Sequence, residues 1–167
     1  MDYIIFDLEW NQCPYGKGQE NERIPFEIIE IGAVKLNEER EKVAEFHRII
    51  RPCVYRQMHR IISEVTHVSI EELERDGEPF AAVMEDFLKW CGEDCIFCTW
   101  GSMDLTELQR NMVYHGMTIP FPKPFLFYDV QKLYSLCYQD GKARISLDEA
   151  VESFALDVDA PFHRAMG

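Results

Sequence analysis

The chain has 167 residues, of which 47% are hydrophobic and 13% aromatic, and its formal net charge is −13. These values predict one globular domain, residues 1–167, and exclude an intrinsically disordered chain. The acidic charge also excludes a protein that binds nucleic acid by electrostatic attraction alone. The sequence has no run of eighteen apolar residues and no basic residue before its short apolar start. We therefore expect no membrane span or membrane partner, no secretory signal, and a cytoplasmic location.

The first predicted elements are three strands. Residues 2–8 are strongly apolar, which suits a central strand buried on both faces. Residues 26–36 and 42–51 have the composition of two further strands, and Pro52 ends the last of them. The intervening residues 11–25 form a long loop, a kind of segment that is often functional.

Helices and strands alternate in the rest of the chain. The further predicted elements are one or two short helices at 63–75, a helix at 79–90, a strand at 95–100, a helix at 103–115, a short strand at 126–128, helices at 129–138 and 146–154, and a last helix from Pro161. Ser69 and Ser146 are the predicted N-caps. A three-strand meander followed by alternating helices and strands indicates an α/β fold with a mixed five-stranded sheet. Its first three strands are antiparallel, and the later ones run parallel to the first.

Three cysteines, Cys91, Cys95 and Cys98, have a spacing that invites a zinc-site interpretation. A fourth ligand is not evident, and Cys95 and Cys98 lie in an apolar run typical of a buried strand. We therefore interpret these cysteines as small hydrophobic side chains in a reduced protein.

An arginine-rich stretch follows the third predicted strand. Residues 47–60 contain Arg48, Arg51, Arg56 and Arg60 and no acidic residue. Two interpretations stay open, a solvated edge of the domain or a rim that contacts phosphate groups.

Asp7 and Glu9 form an acidic pair at the end of the first predicted strand. Side chains alternate along a strand, so both carboxylates point to the same face. Such a pair is either solvated where the strand emerges or compensated by a hard divalent cation. In open sheets, ligands bind at the carboxyl ends of strands.

Asp104 lies in the first turn of the helix that follows the strand at 95–100. An acid at this position is favoured by the helix dipole, but it would also face Asp7 if the two strands are neighbours. His163 stands at the start of the last predicted helix, where a histidine is more often structural than catalytic.

Together these motifs resemble those of the DEDDh 3′→5′ exonuclease superfamily. The similar segments are Phe6-Asp7-Leu8-Glu9, Trp100-Gly101-Ser102-Met103-Asp104 and His163-Arg164-Ala165. The flanking segments that agree are Glu30-Ile31-Gly32-Ala33-Val34, Tyr128-Asp129-Val130-Gln131-Lys132-Leu133 and Ser146-Leu147-Asp148-Glu149-Ala150. The resemblance spans essentially the whole chain and implies a ribonuclease-H-like fold. The Trp-Gly-x-x-Asp form of the second motif is similar to the branch of Eri-type histone-mRNA 3′ exonucleases and their bacterial relatives, which favours RNA.

The resemblance also implies a role for each site residue. Asp7 would bridge two Mg²⁺ or Mn²⁺ ions, Glu9 would hold the metal that carries the attacking water, and Asp104 would support the other metal. His163 would be the general base. Two ions about 4 Å apart can clamp the attacking and leaving oxygens of a phosphodiester. The residues implied in substrate binding are Trp10, Phe6, Leu8 and Met103. Trp10 has two open interpretations, a stacking platform for the 3′ base or a cover over the core edge.

The family pattern has a fourth carboxylate shortly after the histidine of the third motif. Counted from His163, it would come directly after Gly167, so we expect a domain truncated before its last helix, with weakened metal binding and cleavage. The expected partner is a nucleic acid 3′ end, RNA more than DNA, and the products are nucleoside 5′-monophosphates. The alternatives are a DNA 3′→5′ exonuclease and a catalytically impaired nucleic-acid-binding module on the same fold. The sequence does not indicate an oligomeric state.

Overall fold

The computed structural model describes residues 1–120, 127–156 and 165. Within these residues the chain forms a five-stranded mixed sheet flanked by helices, which confirms the predicted fold class. The strands are β1 (Asp2–Gln12), β2 (Phe26–Leu36), β3 (Lys42–Ile49), β4 (Cys95–Thr99) and β5 (Phe127–Asp129). The helices are α1 (Arg60–Thr66), α2 (Ile70–Asp76), α3 (Phe80–Cys91), α4 (Met103–Tyr114), α5 (Val130–Tyr138) and α6 (Leu147–Ser153).

The strand order is β3-β2-β1-β4-β5, with β1 at the centre. Strand β1 pairs antiparallel with β2 and parallel with β4, while β2–β3 is antiparallel and β4–β5 is parallel. The predicted meander followed by parallel strands is therefore confirmed. The first strand is longer than predicted, because it continues through Trp10 to Gln12.

The main core lies on one face of the sheet. Ile4, Phe6 and Leu8 alternate along β1 and are buried there together with apolar side chains of α3 and α4. The Phe6 ring packs edge-on against Phe87 of α3, with ring centroids 6.0 Å apart. Because successive side chains point to opposite faces, this packing directs Asp7 to the other face of the sheet.

A β-bulge in β2 connects the sheet to α4 and to a second, smaller core. The register passes from Glu9↔Glu30 to Trp10↔Ile28, so Ile29 is the extra residue. Ile29 is buried in the second core, where it joins Val68 and Leu73. The N–H of Ile28 donates to Asn111 Oδ1 of α4 at 3.1 Å.

Side-chain caps define the starts of three helices. Ser69 accepts a hydrogen bond from the Glu72 N–H, and Ser146 forms a capping box with Glu149, so both predicted N-caps are confirmed. Asp129 caps α5 by accepting the Lys132 N–H at 2.8 Å. Because these bonds satisfy amides that the first helical turn leaves unpaired, local sequence alone was enough to predict the two serine caps.

The three cysteines of the zinc interpretation lie at the α3–β4 connection. Cys91 and Cys98 are buried and Cys95 is half-buried. Burial raises the pKa of the Cys98 thiol to about 11 and also raises the pKa of Cys91 and Cys95. Among the residues that the structure describes, no group of three histidine, cysteine, aspartate or glutamate side chains could hold a metal ion. The three thiols are therefore protonated, apolar packing groups.

None of the helices in the described part of the chain is both long enough and apolar enough to span a membrane.

Candidate active site

The candidate site forms where β1 and β4 separate. Their parallel ladder ends at Ile5↔Cys98. After β4 the chain turns at Gly101, whose φ of +91° favours glycine, and then begins α4. This short connection carries Asp104, in the first turn of α4, next to β1.

One hydrogen bond attaches Asp104 to β1. The N–H of Leu8 lies beyond the end of the β1–β4 ladder and donates to Asp104 Oδ1 at 3.1 Å. A buried N–H without an acceptor costs about 1–3 kcal/mol. By accepting this N–H, Asp104 stabilises β1 where its ladder with β4 has ended. The same bond holds the Asp104 carboxylate at Leu8, the residue between Asp7 and Glu9 on β1.

The two aspartates have strongly perturbed protonation equilibria. Burial raises the pKa of Asp104 to about 6, although the Leu8 N–H partly opposes the shift. Asp7 is reached by solvent, but dense protein surrounds its carboxylate. That desolvation, with repulsion from Asp104, Glu9 and Glu30, raises the pKa of Asp7 to about 8. A carboxylate with so raised a pKa is energetically unfavourable in its charged form unless a cation lies beside it.

Glu30 and His47 extend the polar face of the sheet from β1 to β3. Glu9 lies opposite Glu30 on β2, and Asp7 lies opposite Gly32, which in turn pairs with His47 on β3. Directly opposed residues share a face of the sheet, so these side chains lie on the same face as Asp7. Glu30 is buried, and its Oε1 lies 2.7 Å from Nε2 of the half-exposed His47.

The donor chemistry and the charge of this site fit a hard divalent cation. Carboxylate oxygens are the ligands that Mg²⁺ and Mn²⁺ prefer. A dication would compensate both the burial of the Asp7 charge and its repulsion by neighbouring acids, which together raise the pKa of Asp7. Residues 1–120, 127–156 and 165 do not by themselves assemble three side chains close enough for an ion. The described residues that could form part of a ligand set are Asp7 and Asp104, with Glu9 beside them.

The predicted substrate-binding residues fall into different surroundings. The side chains of Phe6 and Leu8 are buried in the main core, and the structure does not bring them to the face that carries Asp7. Trp10 is half-buried against the core, with its ring 5.7 Å from that of Phe26. Met103 is 47% exposed at the start of α4 and lies next to Asp104.

The predicted general base, His163, lies outside the described residues.

Two buried polar residues near the site were not identified from the sequence. Glu27 of β2 is 2% exposed. Its carboxylate accepts three backbone N–H groups, those of Cys53 (2.5 Å), Val54 (2.9 Å) and Tyr55 (2.8 Å). This charged residue inside an apolar strand was the available signal, because a buried carboxylate requires donors.

Asn11 of β1 is the second such residue. Its Oδ1 accepts the His59 N–H at 2.9 Å, and its Nδ2 donates to the Gln57 carbonyl at 2.8 Å. Asn11 and Glu27 therefore fix the segment between β3 and α1 against the end of β1, two residues beyond Glu9.

A family model for exonucleases of the RNase T type matches residues 4–167. The chain belongs to this exonuclease family. The match covers nearly the whole chain and includes Asp7, Glu9, Asp104 and His163. It agrees with the DEDDh 3′→5′ exonuclease superfamily that the motifs resemble.

Individual relatives support the same assignment. The chain is 26% identical to the probable 3′-5′ exonuclease KapD of Bacillus subtilis, over 98% of this chain and 77% of that protein. It is also similar to the nuclease domain of 3′hExo, a DEDDh family member solved with bound rAMP. That match has a TM-score of 0.80 and 20% identity over 99% of this chain and 84% of that domain.

A more distant structure shows the same fold. E. coli Exonuclease I, solved with a dA16 oligonucleotide, matches with a TM-score of 0.73 and 14% identity over 99% of this chain and 37% of that protein. The ribonuclease-H-like fold is therefore shared with structures that hold a ribonucleotide and with structures that hold DNA.

Proposed function

We propose that this exonuclease depends on divalent metal ions, acts on single-stranded nucleic acid ends with RNA favoured over DNA, and releases nucleoside 5′-monophosphates. The observation that carries the proposal is the hydrogen bond from Leu8 N–H to Asp104. It attaches Asp104 to the strand that carries Asp7 and Glu9, within a chain that matches an exonuclease family.

The chain's own residues supply the ligands and the orientation. Asp7, Glu9 and Asp104 would hold Mg²⁺ or Mn²⁺ as the family resemblance implies, and the Leu8 N–H keeps the Asp104 carboxylate in place. When bound, such ions lower the pKa of a coordinated water and neutralise charge on the scissile phosphate.

Proton transfer is the role of His163. A histidine titrates near neutral pH and can accept the proton of the attacking water at the pH where the enzyme works. We place His163 in this role because it occupies the histidine position of the third family motif.

The RNA preference rests on relatives rather than on the acidic site, since metals bound there contact only phosphate. The 3′hExo structure contains rAMP, whereas E. coli Exonuclease I was solved with dA16. Discrimination between the polymers requires contacts to the 2′-hydroxyl. A DNA exonuclease is therefore the alternative, and the relative rates of cleavage of RNA and DNA distinguish the two activities.

The test uses RNA and DNA oligomers of one sequence, each labelled at the 5′ or the 3′ end. With Mg²⁺ or Mn²⁺ the wild type should shorten 5′-labelled RNA one nucleotide at a time and release the label of 3′-labelled RNA as a mononucleotide. DNA should be shortened more slowly. EDTA should stop the reaction.

Two variants complete the experiment. Asp7→Ala should abolish cleavage, while Asp86→Asn, a charge change on the exposed side of α3, should leave it unchanged. Internal cuts or cleavage in EDTA would contradict the proposed mechanism. Tight binding without cleavage would favour the catalytically impaired module, and faster digestion of DNA would favour the DNA exonuclease.

A further inference from the structure

The arginine-rich stretch divides into two parts in the structure. Arg48 and Arg51 are directed toward the α2–α3 connection, where Arg48 Nε lies 3.4 Å from Glu78 and Arg51 donates to the Gly77 carbonyl at 2.8 Å. The remaining basic residues lie on residues 52–60, which we term the basic loop and which ends with the first residue of α1. This loop contains no acidic residue, although the chain as a whole has a net charge of −13.

The basic loop is held rigidly beside the candidate active site. Glu27 binds three of its backbone amides, and Asn11 binds its backbone at Gln57 and His59. Asn11 follows Glu9 by two positions on β1, a separation of about 7 Å along a strand. The His59 N–H is only 2.9 Å from Asn11 Oδ1, so this end of the loop lies close to the acidic pair.

Three cationic or hydrogen-bonding side chains project from this anchored backbone. Arg56 is exposed, and within the described part of the chain no carboxylate lies at ion-pair distance from it. Arg60 is 80% exposed, and among the described residues its ion pair is with Glu64, four residues away on α1. Such an exposed pair contributes little. His59 Nδ1 lies 3.3 Å from Gln12 Nε2 at the end of β1.

If the basic loop were only a solvated edge of the domain, it would not need the buried anchors Glu27 and Asn11 beneath it. Exposed arginines on an ordinary surface segment need no buried carboxylate and no buried amide beneath them, whereas Glu27 and Asn11 are both almost fully buried and satisfied by loop backbone. The hydrogen bonds from the loop amides compensate the cost of burying the Glu27 charge, and they also fix the conformation of the loop. The loop supplies local positive charge next to the acidic group at Asp7, and such positive charge attracts a polyanion.

We propose that Arg56, His59 and Arg60 bind the phosphodiester backbone of the substrate strand, at phosphates inward from the 3′-terminal linkage that lies at Asp7. This inference rests on the proposed function and adds to it the path of the strand. The partner is nucleic acid, because phosphates repeat along one strand and arginine binds them with charge-assisted hydrogen bonds.

The test compares wild type with the Arg56→Glu/Arg60→Glu variant on two substrates. One is a single-stranded oligomer of about 12 nucleotides, within the range of site sizes for such proteins. The other is the p-nitrophenyl ester of thymidine 5′-monophosphate, which has no inward phosphates. The variant should raise KM for the oligomer by about tenfold or more, leave its kcat within about twofold, and leave hydrolysis of the ester unchanged.

Binding of the same oligomer, labelled with fluorescein, is measured in EDTA by anisotropy against salt concentration. Loss of two phosphate contacts should reduce the slope of log Ka against log salt by about 1.4. The matched control is Lys89→Glu on α3. Lys89 lies next to Trp90, whose carbonyl accepts the Lys35 ammonium near the opposite end of β2 from Glu27. This control should change neither KM nor the slope.

The experiments distinguish failure of the proposed function from failure of the proposed role of the basic loop. If the wild type cleaves neither substrate, the proposed function falls, while the anisotropy slopes still decide the role of the basic loop. If the wild type cleaves both and the double variant retains the wild-type KM and salt slope, the basic loop does not contact the strand. An equal loss of activity on the ester and the oligomer would also overturn the inference, since it would indicate damage to the acidic site.

Discussion

Asp104 and Glu27 are both buried carboxylates that accept backbone N–H groups, with 7% and 2% of their surfaces exposed, but their surroundings differ. Glu27 accepts three amides of the basic loop. Asp104 accepts the Leu8 N–H and lies beside Asp7, whose pKa it helps to raise. Glu27 is surrounded by donors, whereas Asp104 belongs to a group of mutually repelling acids.

This difference suggests different roles for the two carboxylates, with Glu27 anchoring the loop and Asp104 belonging to the proposed metal site. A carboxylate satisfied by several amides repays the cost of its burial through the backbone that it holds. A carboxylate crowded by other acids keeps an unfavourable charge that only a cation or a proton can relieve. We therefore expect substitutions around Glu27 to change stability first and substitutions around Asp104 to change activity first.

The largest expected effect is that of Asp7→Asn on turnover. The charged ligand at the centre of the acidic group is lost, and kcat should fall by about 10³–10⁴-fold, because metal-ion stabilisation of the transition state amounts to several kcal/mol. In EDTA the variant should melt higher than wild type by about 2–4 °C, since it removes both the burial cost of the Asp7 carboxylate and its repulsion by Asp104, Glu9 and Glu30. Steady-state kinetics and calorimetry measure the two changes.

Adding Mn²⁺ sharpens this prediction without a measurement of activity. The ion should raise the melting temperature of wild type and raise that of Asp7→Asn much less, because binding to the native state stabilises it. Equal stabilisation of both proteins would show that Asp7 is not a metal ligand.

Asp104→Asn should have the second-largest effect. The amide oxygen of asparagine still accepts the Leu8 N–H, so the free energy of unfolding should stay within about 1 kcal/mol of wild type. The charge is lost, and kcat should fall by about 10²–10³-fold. Asp104→Ala removes the acceptor and should cost a further 1–3 kcal/mol or so of stability. A large loss of stability in Asp104→Asn would instead indicate that Asp104 has an anchoring role like that of Glu27.

Glu27→Gln should lower stability strongly and change activity little, the opposite of Asp104→Asn. The introduced amide group places donors against the loop N–H groups, and the free energy of unfolding in urea should fall by about 3 kcal/mol. Hydrolysis of the mononucleotide ester, per folded molecule, should stay within about threefold of wild type. Glu45→Gln on the exposed side of β3 is the matched control, and its change should be below about 0.5 kcal/mol. Wild-type stability in Glu27→Gln would refute the anchoring role.

The smallest expected effect is that of Asn11→Ala. This variant loses two hydrogen bonds to the loop, and the free energy of unfolding should fall by about 2 kcal/mol, less than for Glu27→Gln. The double variant with Glu27→Gln should lose less than the sum, because both residues hold the same loop. Strict additivity in urea denaturation would mean that the two anchors act on independent parts of the structure.

Much of the fold was predictable because its signals are local. The apolar run at 26–36 matches β2 residue for residue, and Ser69 and Ser146 cap the helices as predicted. The first strand was predicted to end at residue 8 but continues to Gln12. Asn11 is paired there by loop backbone 48 residues away, a contact that no local pattern contains.

The acidic residues of the candidate site could be predicted from the sequence, but the side chains around them were predicted less well. Asp7, Glu9 and Asp104 were identified from their order and from the family resemblance, and the structure confirms that β1 and β4 are neighbours. Phe6 and Leu8 were predicted as substrate contacts, yet the alternation that places Asp7 on one face places these two side chains in the core on the other.

The sequence alone determined the element order, the family and the positions of the acidic residues, because strand and helix periods and motif spacing are written in consecutive residues. The tertiary structure decided how each buried carboxylate is used. The Leu8–Asp104 bond joins residues 96 positions apart, and the bond from Tyr55 N–H to Glu27 joins residues 28 positions apart. Whether a carboxylate contacts amide donors or other acids depends on such distant contacts. The difference between the anchoring Glu27 and the candidate active-site Asp104 therefore appears only in the folded chain.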